Sequence, residues 1–175
     1  MKKFLLILTI LVSAITASAG SPYFGAEVAY GPDRQPDSES SKSWSLSVIG
    51  GYDFEINEHY YFAPELSLGF IRMYGNVFAP PSVISDSGNG FYANLRANLG
   101  VNIYKGLSLI TGPTVKYISI ADYGNLNYHW GITWRFGLAY DFDKYRISAA
   151  FDQHVTNQYF WEAVNPISVS FAIRF

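Results

Sequence analysis

The stretch Phe91-Tyr92-Ala93-Asn94-Leu95-Arg96-Ala97-Asn98-Leu99-Gly100-Val101-Asn102-Ile103-Tyr104 decides the fold. Phe91, Ala93, Leu95, Ala97, Leu99, Val101 and Ile103 fall on one parity, and Tyr92, Asn94, Arg96, Asn98, Gly100, Asn102 and Tyr104 on the other. Successive side chains of a strand point to opposite faces, so a period of two reads as a strand with one apolar and one polar face. A helix would need apolar residues three and four apart, and this run does not supply them.

The same period runs through the chain on both sides. Trp130, Ile132, Trp134, Phe136, Leu138, Tyr140 and Phe142 oppose His129, Gly131, Thr133, Arg135, Gly137, Ala139 and Asp141. Near the end, Ile167, Val169, Phe171, Ile173 and Phe175 oppose Ser168, Ser170, Ala172 and Arg174. Strands are expected at about 22–30, 44–54, 59–74, 89–104, 107–120, 128–142, 144–156 and 165–175. Short connections (Ile56 to His59, Lys105-Gly106, Asp143-Lys144) alternate with longer ones (Gly31 to Ser43, Gly75 to Gly90, Ala121 to Asn127, Asn157 to Asn165). That alternation is the pattern of an up-and-down barrel with tight turns at one end and loops at the other.

Residues 1–19 are set apart from the fold. Lys2 and Lys3 precede an apolar run from Phe4 to Ile15, and Ala17-Ser18-Ala19 gives a small-x-small cleavage pattern. This is a secretory signal peptide, expected to be cut before Gly20, and its apolar core is too short for a membrane-spanning helix. Residues 20–175 form the barrel domain, with no second domain expected. The chain has no cysteine, which excludes disulfides, thiol chemistry and a lipidated cysteine. Without Lys2 and Lys3 the chain carries 10 basic and 14 acidic residues, a balance that gives no reason to expect nucleic acid as a partner.

Volume decides which face points out. Aromatics are 18% of the chain. Turned inward, Trp44, Phe70, Phe91, Trp130, Trp134 and Phe136 and their apolar neighbours would have to share a lumen that eight strands make only just wide enough for modest side chains. Turned outward in water, they would form a belt prone to aggregation. Lipid is the solvent that fits, and a closed barrel satisfies the backbone hydrogen bonds that hydrocarbon leaves unmet. Aromatics also gather near strand ends, as interfacial girdles do: Tyr52, Phe54, Tyr60, Phe62, Tyr140, Phe142, Tyr145 and Phe175 at the turn end, Tyr30, Trp44, Tyr74, Phe91 and Trp130 at the loop end. The expected class is therefore all-β, an eight-stranded antiparallel up-and-down transmembrane barrel.

The signal peptide, the eight strands and the terminal Val169-Ser170-Phe171-Ala172-Ile173-Arg174-Phe175 resemble the small outer-membrane β-barrel family of OmpX-like and OmpA-barrel-like proteins. The resemblance covers essentially all of residues 20–175 and is mostly one of pattern. It implies a bacterial outer-membrane location reached through the periplasm. It also implies that Phe171, Ile173 and Phe175 act as the signal read by the barrel assembly machinery. A peptidoglycan-binding domain after the barrel is not expected, nor is a role in anchoring the envelope.

By parity the interior collects Glu27, Asp53, Glu65, Asp141 and Asp152 against Arg96, Lys116, Arg135, Arg146 and Arg174. Five acids against five bases suits charges that must be paired where they are buried. A lumen plugged by salt bridges is expected, because an interior of this size is filled. Asp152, His154 and Thr156 share one face near the loop end and could form a base and nucleophile pair. Gln153-His154-Val155-Thr156-Asn157 is similar to the His-x-Ser-Asn motif of outer-membrane lipid A deacylases, with Thr156 in place of serine. Parity turns His154 inward, whereas that family's site faces lipid, so the expectation is a hydrogen-bonded upper lumen and no catalysis. His59, His129 and His154 have no metal-ligand spacing, and no cofactor signal is present.

The loops are the other candidate surface. Phe78 lies in an apolar, proline-stiffened stretch with Val77, Ala79, Pro80, Pro81, Val83 and Ile84, and Tyr159, Phe160 and Trp161 cluster before the last strand. Such aromatics can anchor a partner or touch lipopolysaccharide. The expected function is a monomeric, non-enzymatic outer-membrane barrel, structural or surface-interacting, in contact with outer-membrane lipid and lipopolysaccharide. The alternatives are a lipid A-modifying hydrolase built on His154 and Thr156, and a narrow pore.

Overall fold

The structure is a computed structural model that describes residues 20–31, 42–74, 77–79, 82–84, 88–122, 125–155 and 166–175. The signal segment at 1–19 lies outside the described residues, as do Thr156, Asn157, Tyr159, Phe160 and Trp161. The strands are β1 (Gly20–Gly31), β2 (Lys42–Glu55), β3 (Tyr60–Tyr74), β4 (Val77–Ala79), β5 (Ser82–Ile84), β6 (Gly88–Tyr104), β7 (Leu107–Asp122), β8 (Asn125–Phe142), β9 (Tyr145–His154) and β10 (Ile167–Arg174). Eight of them close a barrel in the order β1-β10-β9-β8-β7-β6-β3-β2, with every pairing antiparallel. Closure removes the open edges that a flat sheet would present.

Burial alternates residue by residue along the strands. Leu95 and Leu99 are exposed outside, while Asn94, Arg96 and Asn98 are buried inside. Tight turns close one end. Lys105 and Gly106 both take positive φ (32° and 87°), the left-handed geometry that matches the twist of a two-residue hairpin. At 56–59, the Asn57 side-chain oxygen accepts from the backbone N–H groups of His59 (2.9 Å) and Tyr60 (3.0 Å), so an Asx turn sets the reversal.

Two expected loops differ from the structure. The sequence reads as a loop at 121–127, yet β7 and β8 stay paired out to Asp122↔Asn125. The weak strand preference of Asn125 and Asn127 is outweighed by the ladder that their partner strand offers. Within 75–90, Val77–Ala79 and Ser82–Ile84 pair as a small separate hairpin. Pro80 and Pro81 mark a break in the sequence, but the β-branched and aromatic residues on either side favour strand pairing.

Two inward glycines are required by close approach. A Cβ on Gly100 would stand 2.0 Å from the Tyr61 ring, and one on Gly51 would stand 2.4 Å from the Tyr23 ring. Each glycine is the cross-strand partner of the tyrosine that covers it. The missing side chain therefore makes room for a large ring inside a narrow barrel, and the ring shields the glycine backbone.

Candidate functional site

The interior is layered along the barrel axis. At the turn end lies a cluster of Asp53, Asp141, Arg146 and Arg174. Arg146 grips the Asp141 carboxylate with Nε and Nη2 (2.7 and 2.9 Å) and donates from Nη1 to Asp53 at 2.9 Å. Arg174 reaches Asp53 at 3.0 Å and Asp141 at 3.4 Å. A cavity of about 170 Å³ adjoins this cluster, lined also by Glu55, Glu58 and Asn102.

Above it, Tyr23 and Tyr61 are buried with Ile49, Ala63, Ile110 and Ala139. Their rings flank the Arg146 guanidinium, 5.6 and 5.1 Å from its central carbon. The Tyr23 hydroxyl donates upward to Glu65 at 3.0 Å, which links the two charged layers.

The central cluster holds six charges. Arg96 donates to Glu27 at 2.6 Å and to Glu65. Arg135 donates to Glu27 at 3.2 Å and to the Ser168 hydroxyl at 2.9 Å. Lys116 lies 2.7 Å from Asp152, and Arg135 approaches the same carboxylate at 3.9 Å. No side chain of this cluster is more than 10% exposed. The cavity beside it measures about 10 Å³, room for one water at most.

At the loop end apolar side chains join the interior, beside the buried Ser43 and Ser45. Ile71, Met73, Tyr92, Ile118 and Ile120 are buried on the inward parity above the charges. Tyr92 falls on the polar parity of its strand in the sequence, whereas Ile71, Met73, Ile118, Ile120 and the two tyrosines below carry no charge to mark them as interior. The same period-two count would have found them, because Ile71 and Met73 share the parity of Glu65.

Of the catalytic candidates, Asp152 is committed to Lys116 and Arg135. His154 ends β9 on the same inward face, half-buried, and Thr156 is outside the described residues. Among the described residues no group of three or more His, Cys, Asp or Glu could hold a metal ion. Phe78 lies in β4, and Phe171, Ile173 and Phe175 point outward at the turn end.

The outward face is mostly apolar, with Phe70, Leu95, Trp130, Phe136 and Val169 all exposed. At the turn end aromatic rings form a belt: Phe142 against Tyr145 at 5.5 Å, Tyr145 against Phe171 at 5.6 Å, and Tyr52 against Phe54 at 4.6 Å. A closed eight-stranded barrel with an apolar exterior, an aromatic girdle and paired charges inside is a transmembrane β-barrel by class.

No family model matches the chain, and no curated protein matches it in sequence. Among solved structures it is similar to Ail, the attachment invasion locus protein of Yersinia pestis, at 14% identity and TM-score 0.48, over 90% of this chain and 95% of that one. A backbone structure of the Yersinia pestis outer membrane protein Ail in a phospholipid bilayer nanodisc gives 13% identity and TM-score 0.48, over 90% and 100%. The translocator domain of the autotransporter NalP from Neisseria meningitidis gives 14% identity and TM-score 0.46, over 97% and 95%.

Proposed function

We propose that this chain is an integral barrel of a bacterial outer membrane, exported with loss of residues 1–19. In this reading it works without catalysis, as a structural element or through its external loops. The observation that carries the proposal is the inversion of an ordinary protein: its large apolar side chains lie outside and its charges lie inside. A soluble monomer rarely exposes a contiguous apolar patch beyond a few hundred Å². The aromatic terminus at Phe171, Ile173 and Phe175 suits recognition by the barrel assembly machinery. The closed ring offers no free edge that a second copy would have to cover, which favours a monomer.

The filled central cluster, with an apolar layer above it, supports a lumen closed to ions rather than a pore. Asp152 is occupied by Lys116, which leaves it poorly placed to orient His154 as a base. The loop stretches around Phe78 and at Tyr159, Phe160 and Trp161 are the surfaces proposed for contact with a partner.

The test is insertion of the purified chain into phospholipid bilayers. Expected results are a heat-modifiable folded band, protection of the strands from protease, and no steady nanosiemens conductance in a planar bilayer. A chain that stays monomeric and folded in plain buffer would overturn the membrane reading, and a steady conductance of that size would overturn the closed lumen. Cleavage of lipid A acyl chains that is lost in His154→Ala would restore the hydrolase.

A further inference from the structure

Near the loop end of β3 the polarity of the alternation inverts. Ile71 and Met73 turn inward, and Arg72 turns outward. Along the barrel strands, Arg72 and Lys42 are the charged side chains on the outward face among the residues whose side chains are described. Both are cations, and no carboxylate is paired with either among the described residues.

They are also neighbours. Trp44 pairs with Arg72 across β2 and β3, and Lys42 pairs with Tyr74. Lys42 and Arg72 are therefore diagonal partners, roughly 7–8 Å apart along the sheet. The Arg72 guanidinium lies 5.0 Å from the centre of the Tyr74 ring. The Tyr74 hydroxyl in turn accepts from the Trp44 indole N–H at 3.2 Å. Phe70, two residues below on the same face, is 73% exposed. An arginine is thus fixed in place on an aromatic ring, directly above lipid-facing apolar surface.

Two adjacent cations at this height call for an anion. Guanidinium binds phosphate through parallel hydrogen bonds, and a lysine ammonium adds a point charge. We propose that Lys42 and Arg72, positioned by Trp44 and Tyr74, bind the phosphate of a lipid headgroup in the leaflet at the loop end of the barrel. The inference rests on the membrane reading and names a lipid class for this face. Its occupant is a lipid rather than a free ion because the site is continuous with the apolar belt, where acyl chains would lie beside Phe70 and Leu46.

The test uses the folded protein in phosphatidylcholine nanodiscs, titrated with bisphosphorylated lipid A or with the same lipid stripped of its phosphates, and read by native mass spectrometry. The phosphorylated lipid is expected to bind selectively. Lys42→Gln and Arg72→Gln should each weaken it about fivefold, and the pair about 25-fold, as about 1 kcal/mol per basic residue near an anionic lipid implies. Arg72→Lys should fall between the wild type and Arg72→Gln, because it keeps the charge and loses the parallel hydrogen bonds, and Lys105→Gln with Lys144→Gln at the turn end should leave the affinity unchanged. Equal binding of the stripped lipid, unchanged affinity in the double variant, or displacement by equimolar inorganic phosphate would overturn the proposal while the barrel reading stands. Failure of the wild-type chain to enter the bilayer would remove both. If the double variant does not fold, the wild-type selectivity and the Arg72→Lys titration decide.

Discussion

The central and turn-end clusters use the same chemistry in two solvents. In both, arginines bridge pairs of carboxylates. The central six charges are shut between tyrosines below and an apolar layer above. The turn-end four adjoin a cavity of about 170 Å³, and the side chains of Arg174 and Asp141 are 22% and 18% exposed. Water beside the turn-end pairs screens them and can solvate a partner that loses its mate. The central pairs have no such recourse. The number of salt bridges therefore says less about what each contributes than the access of water does.

Removing one charge from the centre should have the largest effect. Arg96→Met should cost about 3–5 kcal/mol, because it leaves Glu27 and Glu65 facing each other without their bridge. Urea unfolding of the bilayer-inserted barrel measures it, and a loss no larger than that of Arg174→Gln would erase the distinction between the clusters. Next is the packing that separates them. Gly100→Val should cost about 1–3 kcal/mol by driving a side chain into the Tyr61 ring, and the paired change Gly100→Val with Tyr61→Ala should recover part of it.

Arg174→Gln should cost about 1 kcal/mol or less, since Arg146 still serves both Asp53 and Asp141. The smallest effect is that of salt. Raising NaCl from 0.1 to 1 M shortens the screening length from about 10 to about 3 Å. The cost of Arg174→Gln should shrink in high salt, whereas that of Arg96→Met should hold. Equal salt sensitivity of the two variants would mean that water reaches both clusters alike.

Most of the barrel could be read from the chain, and the reasons are local. Trp134 and Leu95 advertise their outward direction by parity alone, and Lys105-Gly106 announces its turn. The ends of β7 and β8 could not be read so, because Asn125 has a loop's composition and is held in the strand by Asp122 across the ladder. The hairpin of β4 and β5 was hidden for a related reason: Pro80 and Pro81 dominate a segment whose flanks pair with each other. In the interior, parity placed the charged residues together but did not give their order along the axis. It also said nothing of the tyrosines seated over Gly51 and Gly100.

The two faces are legible in the chain alone. The direction of a strand side chain is a property of its own backbone, so counting by twos separates lipid-facing Leu95 from inward Arg96 without knowledge of any partner. Which charges meet depends on the closed barrel. Arg96 finds Glu27 from 69 positions away, and Arg146 finds Asp53 from 93, because barrel closure and strand register set those distances. The same register set Trp44 beside Arg72 on the outside, where a single strand shows only a lone arginine among apolar neighbours.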